Sequence, residues 1–230
     1  EFGSIKPNFL TAAPQGKGAD IIVGAHDWVG ELVINGLLEP VPPFEGQETF
    51  YSTALDAFSY GGNLYGLPYS MEAIALIYNK EYVEEPPKNM EELINIAKRI
   101  DATYKGEVRG FITSAAEFYY AAPFILGSGG YVFKETPEGL DVTDIGLASP
   151  GAIKGAELWK RLVDEGILTT GDNYEIMDSL FKEGKAAMII NGPWAVKAYK
   201  DAGIDYGVAL IPDLEEGLPA KPFVGVQGFM

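Results

Sequence analysis

The sequence has no cysteine and only one histidine in 230 residues. Without cysteine there is no disulfide, no thiolate nucleophile and no Cys-ligated zinc, and a lone His26 excludes the usual two- or three-histidine metal sites. Positive charge is scarce as well. The 17 Lys and Arg stand against 33 Asp and Glu, for a formal charge of -16. Such a charge repels phosphate backbones and anionic lipid headgroups, so nucleic acid and membrane surfaces are not expected partners. No apolar run reaches the roughly 18 residues of a membrane span, and no basic stretch followed by an apolar core opens the chain as a signal peptide would. Membrane insertion is not expected. Also missing are a Gly-x-x-x-x-Gly-Lys-[Ser/Thr] loop, a Gly-x-Gly-x-x-Gly after a strand, a His-Glu-x-x-His pair and a Gly-x-Ser-x-Gly elbow. No cofactor and no metal is therefore expected.

What is present is a chain 47% hydrophobic, enough for one large domain or two modest ones. Residues 5 to 13 are weakly helical, with Pro7 tolerable only in a first turn. Asp20 to Val23 reads as a short buried strand, followed by a tight turn and a helical stripe of Val29, Leu32, Val33 and Leu37 closed by Gly36. Gly61-Gly62-Asn63 is the turn of a hairpin that feeds the apolar strand "EAIALIYNK". Asn89 with Glu92 forms a capping pair for a helix striped by Met90, Leu93, Ile94 and Ala97. "EVRGFIT" reads as a strand, "AAEFYYAAPFIL" as an aromatic helix, and "GGYVFKETPEGLDVT" as a hairpin. Ser149 and Pro150 open a helix striped by Ala152, Ala156, Trp159 and Val163. A helix over Asn173 to Glu183 is ended by Gly184 and leads to the strand "AAMII", the turn "NGPW", a short helix and the strand "YGVALIP". Helices alternating with apolar strands predict an α/β class with parallel sheet.

In such sheets the ligand crevice lies beyond the carboxyl ends of the strands. Three post-strand places stand out: Asp27 with Trp28, Glu117 with Phe118, Tyr119 and Tyr120, and Trp194. Each has a bland reading beside the functional one. Asp27 is placed to be a helix N-cap. Tyr119 and Tyr120 suit a core, and Trp194 suits either a buried anchor or an exposed platform. Glu72 precedes a buried strand and needs a partner there. His26 beside Asp27 has no nucleophile to serve and reads as a surface or capping histidine. Carboxylates with aromatic planes are what a carbohydrate needs. Sugar hydroxyls donate to carboxylates, and the C–H face of a pyranose packs on a ring.

Five stretches, "GKGADIIVGAHDWVGEL", "GLPYSMEAIALIYNKEYVEEPPKNMEEL", "GGYVFK", "FKEGKAAMIINGPW" and "KPFVGVQGF", resemble the maltose and maltodextrin-binding proteins. These are extracellular solute-binding components of sugar ABC importers, and the likeness is to those of thermophilic bacteria. The resemblance implies a periplasmic-binding-protein-like fold of type II, two lobes joined by a hinge. It places a partial first lobe at 1–71, a second lobe at 72–222 and a second hinge strand, cut short, at 223–230. It implies binding of malto-oligosaccharide, maltose or maltotriose, without chemistry, outside the cell or in the periplasm, with an ABC permease as partner. Its ligand set falls on Asp27, Trp28, Glu72, Glu117, Phe118, Tyr119 and Trp194. Relatives often carry an aromatic at the position of Gly24 and an arginine at that of Trp28, so Trp28 is expected to supply the lost ring.

Against the resemblance the chain reads as truncated at both ends, with Glu1-Phe2-Gly3-Ser4 either a cloning scar or native. A closed pocket buries roughly 70% or more of its ligand, so an incomplete first lobe predicts weakened binding. Its open sheet edges predict a homodimer or domain swap. The alternative reading is a glycoside hydrolase working through two of Asp27, Glu72 and Glu117.

Overall fold

A computed structural model describes residues 2–136 and 139–230, Phe2 by its backbone alone. In chain order it has α1 (Phe2–Ala12), β1 (Val23–Ala25), a 3-10 turn over His26–Trp28, α2 (Val29–Ile34), α3 (Ser52–Ala57), β2 (Ser59–Tyr60), β3 (Asn63–Leu64), β4 (Leu67–Glu72) and β5 (Ala75–Asn79). There follow α4 (Met90–Thr103), α5 (Phe118–Gly127), β6 (Phe133–Thr136), β7 (Gly139–Ile145), α6 (Pro150–Asp164), α7 (Tyr174–Lys182), β8 (Met188–Asn191), α8 (Pro193–Asp201), β9 (Tyr206–Ala209) and β10 (Gly225–Phe229). Contacts gather these elements into two compact units, one running up to Glu72 and including Val224–Met230, the other Ala73–Phe223.

The first unit is built on an antiparallel sheet in the order β1, β10, β4. The strand expected over Asp20–Val23 lies later, at Val23–Ala25. Ile22 extends its pairing by exchanging backbone hydrogen bonds of 2.9 Å with Met230. Ile21 is 65% exposed, because β1 is paired on one side only and a continuous apolar run is not buried on both faces there. In α1, Pro7 sits mid-helix rather than in a first turn; the carbonyl it leaves unpaired belongs to the exposed Gly3, where water can take the vacant bond. Gly36 at φ +66° ends α2, its N–H donating to Val33 O at 2.9 Å. Gly61 and Gly62 at φ +57° and +82° make the two-residue turn between β2 and β3, where both central residues need positive φ.

The second unit holds the larger core. Its sheet runs β8, β5, β9, and both pairings are antiparallel, so the predicted parallel sheet requires correction. Strands β8 and β9 run the same way, joined through α8, but β5 is inserted between them in the opposite sense. Helix-strand alternation constrains strands linked by crossovers and not a strand that enters from elsewhere in the chain. Parallel pairing survives at the isolated bridges Arg109–Ala186 and Ile112–Ile189. The segment "EVRGFIT", predicted as a strand, makes only those bridges. Gly110 in its middle donates to the Asp101 carboxylate at 2.7 Å instead, and its Cα lies so close to Ala97 that a Cβ would stand 2.3 Å from the Ala97 carbonyl oxygen.

Helix starts follow their side chains. Asn89 Oδ1 accepts from Glu92 N–H at 3.0 Å, and the Glu92 carboxylate accepts from Lys88 N–H at 2.8 Å. Met90, Leu93, Ile94 and Ala97 are all buried. Ser149 Oγ caps α6 through Ala152 N–H, and Asn173 caps α7 through Ile176 N–H. The buried face of α6 is Ala152, Gly155 and Leu162, so Ala156, expected in the stripe, faces water. The rotation has a cause: α5 crosses at Gly155, where a Cβ would meet Phe124 O at 2.4 Å. Strands β6 and β7 pair antiparallel as expected; Pro137 and Glu138, on which part of the expected hairpin falls, lie outside the described residues, as does Glu1.

Candidate functional site

In the second unit, β8 is buried along its whole length and ends on the buried Asn191. Asn191 Oδ1 accepts from Gly192 N–H at 2.8 Å, and its Nδ2 donates to Tyr199 OH at 2.7 Å. Tyr199 donates in turn to Asp178 at 2.9 Å, which also holds Lys182. This satisfied network fixes the turn from which α8 starts with Pro193 at its first position. The Trp194 indole then folds back over Gly192, where a Cβ would lie 2.1 Å from the ring. Gly192 has φ -102°, which any residue adopts, so glycine is required there for space alone. Trp194 is 44% exposed: a platform rather than a buried anchor. Gly192→Ala is expected to leave the fold intact, tilt the indole off the turn and weaken ligand binding by about fivefold, as read by calorimetry and by a changed Trp194 emission spectrum.

The second post-strand place opens α5. Buried Ser114 donates to Glu117 at 2.6 Å, which orients an exposed carboxylate that caps no helix N–H. Phe118 is 42% exposed, Tyr119 half-buried and Tyr120 buried. Burial first, and then neighbouring Tyr174 and Glu117, push the Tyr120 hydroxyl above its ordinary pKa, so Tyr120 is core. Tyr119 lies with ring centroids 6.5 Å from Trp194. A fourth ring joins them. Phe223 stacks on Tyr119 at 6.3 Å and 23°, and contacts Phe118 at 6.1 Å. Sequence reasoning missed Phe223, since a single aromatic just ahead of a strand carries no periodicity.

In the first unit the triplet His26-Asp27-Trp28 divides three ways. His26 is neither a surface residue nor a helix cap. Its half-buried Nδ1 accepts from Val226 N–H at 3.3 Å and ties the 3-10 turn to β10. Asp27 is not an N-cap either: Trp28, in helical conformation, occupies that position of α2. The Asp27 carboxylate is exposed and makes no hydrogen bond or ion pair among the described residues. Trp28, expected as a stacking ring, is 7% exposed and packs with Ile22 and Leu32. Its ring lies over Gly24, where a Cβ would approach to 2.3 Å. It therefore fills the volume of an aromatic side chain at Gly24, but as core. Gly24→Ala is expected to destabilise the protein by about 1–3 kcal/mol through overpacking, seen as a lowered midpoint in urea.

Glu72 ends β4 opposite Gly225 and accepts from Gln227 Nε2 at 3.1 Å, the partner its half-buried position calls for. Among the described residues no group of three or more His, Cys, Asp or Glu could hold a metal, and no helix is long and apolar enough to cross a membrane. What stands assembled is a row of partly exposed rings in the second unit with an oriented carboxylate at one end.

Comparison with known proteins places the chain in a family. The family model described as bacterial extracellular solute-binding protein matches residues 1–230. The chain belongs to that family. The chain is 35% identical over 224 residues to a galactooligosaccharide-binding protein of Bacillus subtilis, covering 94% of this chain and 52% of the relative. It is 35% identical over 221 residues to a maltooligosaccharide ABC transporter solute-binding lipoprotein of Streptococcus pneumoniae, covering 94% and 52%. It is also 35% identical over 223 residues to a maltotriose-binding protein of Pyrococcus abyssi, covering 94% and 47%. The chain spans about half the length of the curated relatives it matches. These relatives are named for binding and transport, and the glycoside hydrolase alternative finds no support among them.

Proposed function

We propose that this chain binds malto-oligosaccharides without converting them, as the solute-binding component of an ABC sugar importer whose permease is its partner, outside the cytoplasmic membrane. In this reading the protein has the type II, two-lobed organisation, with lobes at 1–71 and 72–222 and a hinge strand from 223. The observation that carries the proposal is the row of partly exposed rings, Trp194, Tyr119, Phe223 and Phe118, beside a carboxylate held by Ser114. Pyranose C–H faces stack on the rings at about 1 kcal/mol each, and sugar hydroxyls donate to Glu117 for roughly 1.5–3 kcal/mol per charge-assisted bond. Asp27, exposed and unengaged, and Glu72, steadied by Gln227, are proposed as further hydroxyl acceptors. A neutral ligand also suits a chain of charge -16, which would repel an anionic one.

Titration calorimetry with maltotriose tests the proposal, paired with chromatography of the same mixture after long incubation. Saturable heat with intact maltotriose is the expected outcome. Released glucose, or no heat at millimolar sugar, overturns it.

A further inference from the structure

We propose that His26 is the positioning residue for Asp27, and that it holds the Asp27 carboxylate for a ligand only while its imidazole is neutral. The proposal rests on the reading above in which Asp27 accepts sugar hydroxyls, and it adds the means by which that carboxylate is placed.

Strand β1 pairs with β10 through Val23–Phe229, Gly24–Gly228 and Ala25–Gln227. In an antiparallel ladder every second pair exchanges backbone hydrogen bonds. Ile22 with Met230 is such a pair, so Gly24 with Gly228 is the next, and His26 with Val226 would be the one after. The backbone does not complete that last rung. At His26 the chain leaves the strand for its 3-10 turn, and the His26 carbonyl accepts from Val29 N–H instead. The side chain takes the vacated place, its Nδ1 accepting from Val226 N–H at 3.3 Å. The rung is kept, with an imidazole as its acceptor.

Asp27 comes next in the same turn. Its carboxylate is exposed and makes no hydrogen bond or ion pair among the described residues, so its placement is set by the backbone that carries it. Two flanking anchors hold that backbone: the buried Trp28 ring and the His26 bond to β10. The packing of an indole is the same at any pH. The His26 bond is not. A neutral imidazole accepts at Nδ1 when its proton is on Nε2, whereas the imidazolium carries a proton on each nitrogen and accepts nothing. Val226 is buried, so water is not at hand to serve its N–H once the imidazole is lost as acceptor.

Histidine is the side chain whose charge ordinarily changes between about pH 5 and 8, and His26 is the only one in the chain. The turn packs against β10 and α2. Strand β10 carries no titratable side chain. Helix α2 carries Glu31, which Lys6 engages at 2.8 Å. Across β10, β4 carries Glu72, engaged by Gln227, and the turn itself carries Asp27. Carboxylates ordinarily titrate about pH 4, below the range of histidine. A change in binding near neutrality is therefore a signature of His26.

The test is maltotriose calorimetry from pH 5.5 to 8 on the wild type, His26→Asn and His26→Ala, with thermal melts of each. Asparagine sets an acceptor oxygen as far along the side chain as Nδ1 and does not titrate. The wild type is expected to bind about fivefold more weakly at pH 5.5 than at pH 8, over the same range in which the His26 ring proton resonances shift. His26→Asn is expected to keep the pH 8 affinity throughout, and His26→Ala to bind about fivefold more weakly with a flat profile. In an Asp27→Ala background, neither His26 substitution nor the pH change is expected to alter binding, since no carboxylate is left to position. Should the alanine variant melt early, the wild-type profile and the asparagine variant still decide. A flat wild-type profile, an asparagine variant as weak as the alanine one, or a full His26 effect without Asp27 overturns the proposal. A wild type that binds no maltotriose at any pH overturns instead the sugar-binding reading on which it rests.

Discussion

Trp194→Ala is expected to weaken maltotriose binding by about 30-fold, or ~2 kcal/mol, with little change in melting temperature. The asymmetry follows from where the indole sits. The ring lies over Gly192 and is tilted 43° to Tyr119 at 6.5 Å, but 44% of the residue is exposed, so its removal uncovers little core. A bound pyranose, by contrast, loses its whole stacking face. Emission offers a second reading of the same variant. Trp28 is buried, and Trp159 is half-buried with its indole N–H donating to Ala115 O at 3.2 Å. A ligand-dependent change in tryptophan emission should therefore come from Trp194 and vanish with it. Binding within twofold of wild type in Trp194→Ala would remove the platform from the mechanism.

Asp172→Asn is expected to cost about 3–5 kcal/mol of stability while sparing the ring row, because it strips one partner from a buried ion pair. Asp172 accepts from Arg109 at 3.0 and 3.3 Å, from Thr169 N–H at 2.8 Å and from the Thr169 hydroxyl at 2.8 Å. Its side chain is only 4% exposed. Arg109 also donates to Ile167 O at 3.0 Å, so the pair ties the segment after α6 to the isolated bridge beside β8. Burial alone would raise the Asp172 pKa; the Arg109 and Thr169 hydrogen bonds outweigh it and hold the carboxyl below its ordinary value. A depressed folded-state pKa means that the stabilisation is present above the unfolded value, about 3.9, and is lost as pH falls through the lower folded one. Urea midpoints followed from pH 6 downward should show this acid limb in the wild type and a shallower one in Asp172→Asn. A combined Arg109→Met, Asp172→Leu replacement should recover much of the loss, since an apolar pair carries no unpaired buried charge. Equal stability of Asp172→Asn and wild type at pH 7 would contradict the assignment.

Much of the local structure was legible because its causes are local. Asn89 and Ser149 were readable as caps, and each accepts the N–H three residues on. The Gly61-Gly62 turn was readable because its backbone excludes other residues at no extra packing cost. Errors arose where distant contacts decide. Strand β5 runs against both neighbours, a direction no periodicity encodes. Segment 107–113 has strand-like burial but loses its ladder to Asp101 and Ala97. Phe223 enters the ring row from far along the chain, carrying no signal of its own.

Two tryptophans that follow strands, Trp28 and Trp194, show where sequence stops. Each follows a strand by a few residues, and each lies over a glycine whose Cβ would clash with the ring, at 2.3 Å for Gly24 and 2.1 Å for Gly192. Residue type and spacing alone pointed to carboxylates and flat rings after strands, and the charge of -16 to a ligand that is not anionic. Only tertiary structure decided which ring is offered outward. Ile22 and Leu32 close over Trp28, while the outer face of Trp194 meets solvent. Burial is set by what packs on the far side of a ring, and that partner comes from another part of the chain.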